Sequence, residues 1–225
     1  MTVLAEATLP LEVLLGMKGL VAPEEGRRLA DLAAGVPAAE AIVEIGSHRG
    51  LSSCWLAAGS RAGNGAHVTC IDPWPLYGTP GDPLEDPEWA EEGALERWGT
   101  NIALVSGWAI TTPLRSTAIS VAAMWAKPVG LFFHDADHAF KSVTDDYLAW
   151  LPYLAPGAWV AVHDYYANTS DGAGGWIRDT TRDRHQRAVD QVILPSGTWA
   201  DVEIIGTTDG SALPNLWLGR RVGPP

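Results

Sequence analysis

The chain has 225 residues, 47% hydrophobic and 19% charged, a balance that excludes an intrinsically disordered protein and suffices for a core without disulfides. A formal net charge of -12, with only 15 Lys and Arg, excludes a dedicated nucleic-acid or anionic-membrane binder and favours a cationic ligand. The two cysteines, Cys54 and Cys70, lack metal-ligand spacing and read as reduced core thiols of a cytoplasmic protein.

Residues 1 to 22 are apolar but carry Glu6 and Glu12 and no basic leader. They read as part of a helical arm (1 to 35) that packs on its own core or on a second copy in a homo-oligomer, rather than as a signal peptide or membrane span. Short β-rich runs then alternate with helical stretches. Strands are predicted at 41 to 46, 66 to 72, 101 to 107, 129 to 135 and 158 to 164, and helices at 23 to 34, 51 to 61, 88 to 98, 114 to 125 and 139 to 151. After Asp164 a Gly-rich loop, SDGAGGW, leads to a charged segment that suits one more helix. Two last strands, 201 to 208 and 214 to 221, are joined by DGSA and form an antiparallel hairpin. The expected architecture is a single α/β domain over 1 to 225. It is a Rossmann-like, doubly wound sheet of about seven strands, mostly parallel with a C-terminal antiparallel hairpin and helices on both faces. A proline-rich stretch directly after the second strand, 73 to 88, is too long for an ordinary connection and reads as a lid over the cleft.

Chemistry-bearing residues fall at the predicted strand ends. The first strand runs into VEIGSHRG, whose glycines let the backbone approach a ligand while the next helix offers free N–H groups to an anion. The spacing, E-x-G-x-x-x-G, lacks the third glycine of the dinucleotide fingerprint. Asp72, ending the second strand, suits ribose hydroxyls. The fourth and fifth strands both end in His-Asp, His134–Asp135 and His163–Asp164, and a charged Asp at the end of an apolar run needs a cleft or an ion. His134 reads as a core histidine. Asp145 and Asp146 read as solvated helix charges, His67 and His185 have no supporting context, and Tyr165 and Tyr166 read chiefly as packing.

Together EIGSHRG, IDPW, FFHDADH, LAPGA and VHDY resemble the class I S-adenosylmethionine-dependent methyltransferases, and among them small-molecule O-methyltransferases of the sugar and macrolide type. The resemblance covers about residues 40 to 166. It implies a cofactor site at Glu44, Gly46, Ser47 and Gly50 for the methionine portion, with His48 in the same loop. It places Asp72 and Trp74 at the ribose, and Ser106, Gly107 and Trp108, at the end of the predicted third strand, at adenine. It also implies a divalent cation, Mg²⁺ or Mn²⁺, on Asp135, His163 and Asp164. His163 stands where such families favour an oxygen ligand, and either points elsewhere or shifts preference toward a softer ion. His138, in the D-x-x-H element, is the implied general base, a role suited to a side chain that titrates near neutral pH; the alternative is a structural contact with Asp137 or a cap on the following helix. The acceptor would be a hydroxyl on a small molecule. Two rivals share these residues: a metal-dependent hydrolase built on Asp135, His138, His163 and Asp164, and a cofactor-binding protein without turnover.

Overall fold

A computed structural model describes residues 9 to 74, 93 to 166, 168 to 170, 176 to 178, 184 to 206 and 215 to 223. The body is a seven-stranded sheet of β1 (Ala41–Ile45), β2 (His67–Asp72), β3 (Thr111–Arg115), β4 (Val129–His134), β5 (Leu154–Val162), β8 (Thr198–Ile205) and β9 (Leu216–Gly223). Its order is β3-β2-β1-β4-β5-β9-β8, with the first five strands parallel and β9 antiparallel to both neighbours. The Rossmann-like sheet with a C-terminal hairpin is therefore present. A second, two-stranded sheet, β6 (Asn168–Ser170) with β7 (Trp176–Arg178), flanks the Gly-rich loop and was not foreseen.

Because side chains alternate along a strand, the sheet has two buried faces. Ile42, Leu131, Phe133, Ala161 and Leu218 pack under α2 (Pro23–Gly35), α3 (Leu51–Ala62) and α4 (Ala94–Leu104), with α1 (Leu11–Gly16) outside them. Val43, Phe132, Val160, Val162 and Trp217 pack under α5 (Ala118–Ala122), α6 (Phe140–Trp150) and the segment following α7 (Arg184–Ala188). Cys54 and Cys70 lie free and buried on the first face, as expected.

α2 starts at Pro23, whose missing N–H costs nothing in a first turn, and carries Glu24 and Glu25 beside the positive end of the helix. The Glu25 carboxylate reaches back to accept the Ala22 N–H at 2.8 Å, half of a capping box. α2 lies almost backbone to backbone on α3, since a Cβ at Gly59 would stand 2.5 Å from Ala30 Cα.

Two predicted elements are corrected. Residues 101 to 104 belong to α4, not to a strand, and the third strand is Thr111–Arg115. Ala94, Trp98, Ile102 and Val105, all buried, recur at helical spacing, so the amphipathic period outweighed the local β propensity of NIALV. Ser106, Gly107 and Trp108 consequently sit before β3, in a short 3-10 turn at the edge of the sheet opposite the strand ends that carry Asp72 and Asp135. Helix 114 to 125 shrinks to α5, Ala118–Ala122, because 111 to 115 is strand. Most of the proline-rich stretch read as a lid, from 75 onward, lies outside the described residues.

Candidate active site

In a parallel sheet all strands end on the same edge, and register decides which side chains meet there. Ile45 pairs with Ile71 on one side and His134 on the other, and His134 pairs with Val162. The residues just beyond, Gly46, Asp72, Asp135 and His163, therefore line one edge, where doubly wound folds bind ligands.

The turn after β1 is locked by Asp72. Its Oδ2 accepts the backbone N–H groups of Ser47 (3.0 Å) and His48 (2.8 Å), and its Oδ1 accepts that of Trp74 (2.6 Å). The Trp74 indole N–H donates in return to the His48 carbonyl at 2.8 Å. His48 and Trp74 both hold positive φ (43° and 45°), a strained conformation for non-glycine residues that clusters at functional sites. Gly46 (φ 87°) is required by contact as well as by conformation: a Cβ there would stand 2.5 Å from the Asp135 carbonyl carbon and closer still to its oxygen. Gly50 (φ 86°) caps α3 against Trp98, whose Cδ1 would lie 2.6 Å from an added Cβ. Glu44 is fully buried beneath the turn and accepts from the Ser47 hydroxyl at 2.7 Å and from that of Ser53. Burial raises its carboxyl pKa, against the pull of the Ser52, Ser53 and Ser47 hydroxyls. Ser106 and Gly107 do not join this group. Trp108, half exposed, reaches it among the described residues through an edge contact with Trp98, at 5.4 Å between ring centroids.

Next along the edge is a cluster of acids and histidines. Oxygens of Asp135 and Asp164 and a nitrogen of His163 lie within 4.8 Å of one another, a spacing that could hold a metal ion. His163 Nδ1 stands 3.3 Å from Asp135 Oδ1 and 3.6 Å from Asp164 Oδ2, yet it is buried and aligned in a hydrogen bond with neither. Its Nε2 faces the Glu25 carboxylate at 3.1 Å. Burial alone would lower the His163 pKa; the charges of Asp135 and Asp164 outweigh it and hold the ring well above its ordinary value. A cation bound there would displace the Nδ1 proton. Burial would likewise raise the Asp164 pKa, but His163 and His138 pull it well below the usual carboxylate range. Asp164 adopts φ 50° and accepts the Asn215 side-chain N–H at 2.8 Å, which ties it to the start of β9.

His138 Nε2 lies 3.1 Å from Asp164 Oδ2, and the ring is 55% exposed, open to a ligand above the edge. The Asp164 hydrogen bond is the main cause raising its pKa. No side chain caps α6: Asp137 accepts from Ala139 N–H (3.1 Å) just before the helix and from the Ser142 hydroxyl, and the hydrogen-bond partner of His138 is Asp164 rather than Asp137.

Four readings of neighbouring residues are sharpened. His134 is a core histidine, but its Nε2 partner at 3.2 Å is Asp146, which is thus not merely a solvated charge. Tyr165 is buried as packing, with its hydroxyl donating to Asp190. His185, unremarkable in sequence, stacks edgewise on His138 at 4.9 Å and donates Nδ1–H to the Asp164 carbonyl at 3.2 Å. Burial first, then His134 and His138, push its pKa down to about 3, so it stays neutral. Glu25 was missed altogether, because nothing local in PEEGRR separates a buried first-turn acid from a solvated one.

A seven-stranded sheet of order β3-β2-β1-β4-β5-β9-β8, with a glycine turn after β1 and an acid after β2, defines the class I methyltransferase fold. Residues 43–165 match the family described as "Methyltransferase domain", and the chain belongs to that family. Solved structures agree on the fold. Cofactor-bound Rv0187 from MTB is 19% identical, with a TM-score of 0.65 over 95% of this chain and 86% of that one. The O-methyltransferase from Bacillus cereus in complex with SAH is 18% identical, with a TM-score of 0.63 over 96% and 91%. TomG, an O-methyltransferase from Streptomyces achromogenes involved in tomaymycin synthesis and solved with SAM, is 20% identical, with a TM-score of 0.60 over 91% and 82%. No curated protein matches the chain by sequence. Among the described residues no helix is long and apolar enough to cross a membrane.

Proposed function

We propose that this chain transfers the methyl group of S-adenosylmethionine to a hydroxyl of a small-molecule acceptor, with a divalent cation on Asp135, His163 and Asp164 and His138 as general base. The observation that carries this reading is the abutment at Gly46. The turn expected to cradle the donor touches the main chain of the residue whose side chain opens the acid–histidine cluster. Glu44, Gly46, Ser47 and Gly50 would surround the methionine part, and Asp72 and Trp74 would lie toward the ribose. With 106 to 108 placed before β3, an adenine role for Ser106, Gly107 or Trp108 loses its strand-end argument. The loop following β3, from Ser116, takes that position on the edge.

Methyl transfer is an in-line displacement: the acceptor oxygen forms the new O–CH₃ bond as the sulfonium C–S bond breaks, and the hydroxyl proton must leave. Most of the rate would come from holding oxygen, carbon and sulfur in line at about 3–3.5 Å. His138 is the exposed base beside that path. Asp164 would serve both the cation and His138. The donor set fits a cation because His163 Nδ1 is buried, undirected toward any hydrogen bond, and aimed at two carboxylates. A divalent cation there would orient the acceptor and acidify its hydroxyl. The acidic surroundings favour a cationic sulfonium over its neutral product.

Titration calorimetry with S-adenosylmethionine and S-adenosylhomocysteine tests the reading. Binding of both is expected; binding of neither removes the methyltransferase reading and leaves the hydrolase rival. Binding without methyl transfer to any panel of hydroxylated acceptors favours a non-catalytic cofactor-binding protein. A His138→Ala variant should keep donor affinity and lose on the order of 10²–10⁴-fold in turnover, the usual contribution of a general base. Unchanged turnover retires His138 from that role.

A further inference from the structure

The acid–histidine cluster is braced from behind by a helix far away in sequence. Alternation along β5 sends Ala161 to the α2/α3 face and Val162 to the other, so His163 returns to the first face and meets the start of α2. There Glu25 is 3% exposed and His163 2% exposed, so neither has water as an alternative partner. Glu25 Oε2 is fixed by the Ala22 N–H and by the close packing of α2 on α3. A carboxylate so placed keeps a proton on Nε2, so the proton a cation displaces is the one on Nδ1, the nitrogen that faces Asp135 and Asp164. Carboxylate–histidine pairs of this kind commonly orient a metal-bound imidazole.

We infer that Glu25 is a positioning residue that commits His163 Nδ1 to the cation site, and so makes this site select a transition-metal ion such as Mn²⁺ over Mg²⁺. The inference rests on the cation reading above. An imidazole nitrogen among the donors favours first-row transition metals, whereas Mg²⁺ prefers oxygen ligands and retained waters. Asp135 and Asp164 alone would form an oxygen site of the Mg²⁺ type. Glu25 is thus the difference between the two selectivities, although it touches neither ion nor acceptor.

The test is calorimetry with Mn²⁺ and with Mg²⁺ on the full chain, together with pulsed EPR of the Mn²⁺ complex. The wild type should bind Mn²⁺ more tightly than Mg²⁺ and show a nitrogen coupling. Glu25→Gln keeps an oxygen for the Ala22 N–H and the His163 ring but loses the charge; it should weaken Mn²⁺ by about 10-fold, and Glu25→Ala by up to about 100-fold, with Mg²⁺ affinity little changed. In a His163→Ala background, adding Glu25→Ala should change Mn²⁺ affinity no further. The proposal is overturned, with the cation reading intact, if Glu25 variants bind Mn²⁺ like the wild type or if bound Mn²⁺ shows no nitrogen coupling. It also falls if Glu25→Ala weakens Mn²⁺ equally without His163, since Glu25 would then act through the fold. A wild type that binds neither ion removes the cation reading itself, and this proposal with it.

Discussion

Gly46→Ala is expected to lower the thermal midpoint by on the order of 10 °C and to weaken S-adenosylhomocysteine binding at least ~10-fold. Two costs combine. The left-handed backbone at φ 87° penalises any Cβ by about 1–2 kcal/mol. The new methyl would also overlap the Asp135 carbonyl and come within 2.9 Å of Ala136 Cα, backbone atoms that cannot rotate away. Overpacking of this kind costs about 1–3 kcal/mol, and a chain of this length loses roughly 2–4 °C per kcal/mol. The donor effect follows from the same overlap. To relieve it, either the turn lifts off the end of β4, dragging the Ser47 and His48 N–H groups from Asp72, or β4 shifts and opens the cluster. Differential scanning calorimetry and ligand titration read the two effects separately. A variant that keeps both midpoint and affinity would contradict the close approach of these strands.

Asp135→Ala is expected to do the reverse, sparing the donor and stopping the chemistry. The close approach to Gly46 is made by the main chain of Asp135 and Ala136, and the Asp135 N–H still donates to the Ile45 carbonyl at 2.8 Å, so S-adenosylhomocysteine affinity should stay near wild type. The side chain is one of two carboxylates facing His163 Nδ1, and its loss removes an anionic cation ligand. Metal-assisted activation of an oxygen nucleophile is worth several kcal/mol, so methyl transfer should fall by on the order of 10²–10³-fold, and chelation should depress the wild type to a similar level. A variant that retains full activity after chelation would take the cation out of the mechanism.

The contrast between the two His-Asp pairs shows what the sequence could and could not disclose. As text they are the same dipeptide after the same kind of apolar run. In the sheet His134 pairs with Val162, so the second pair stands one position further toward the edge. That single step turns His134 into the α6 face, against Asp146, and brings His163 level with Asp135. Period-two patterning revealed both strands but not their relative register, which shifts at the irregularity between Val129 and Leu131. The third strand was hidden for a related reason. TTPLR contains Pro113, which argues against a central strand; β3 is an edge strand, where a missing N–H is tolerated. Glu25 and His185 were illegible because their partners lie 138 and 21 residues away, beyond any local spacing rule. By contrast Glu44, Gly46, Asp72 and Asp135 stood out because each closes a strand, and strand ends of a parallel sheet converge by topology.

The order of the last strands also bears on how the chain matures as it is made. β9 occupies the inner position between β5 and β8, and among the described residues β8 pairs with no other strand. A nascent chain that has reached Ile205 therefore holds a finished strand with no place to dock. β5 meanwhile presents an open edge, and the pockets that Leu216, Trp217 and Leu218 will fill are still vacant. Such unpaired edges are where partly synthesised chains associate wrongly. Asn215, which ties Asp164 to the start of β9, is positioned only when that final insertion occurs. The acid–histidine cluster is thus complete only once β9 has inserted between β5 and β8, and a chain lacking β9 is expected to lose the Asp164 tie and to expose the β5 edge.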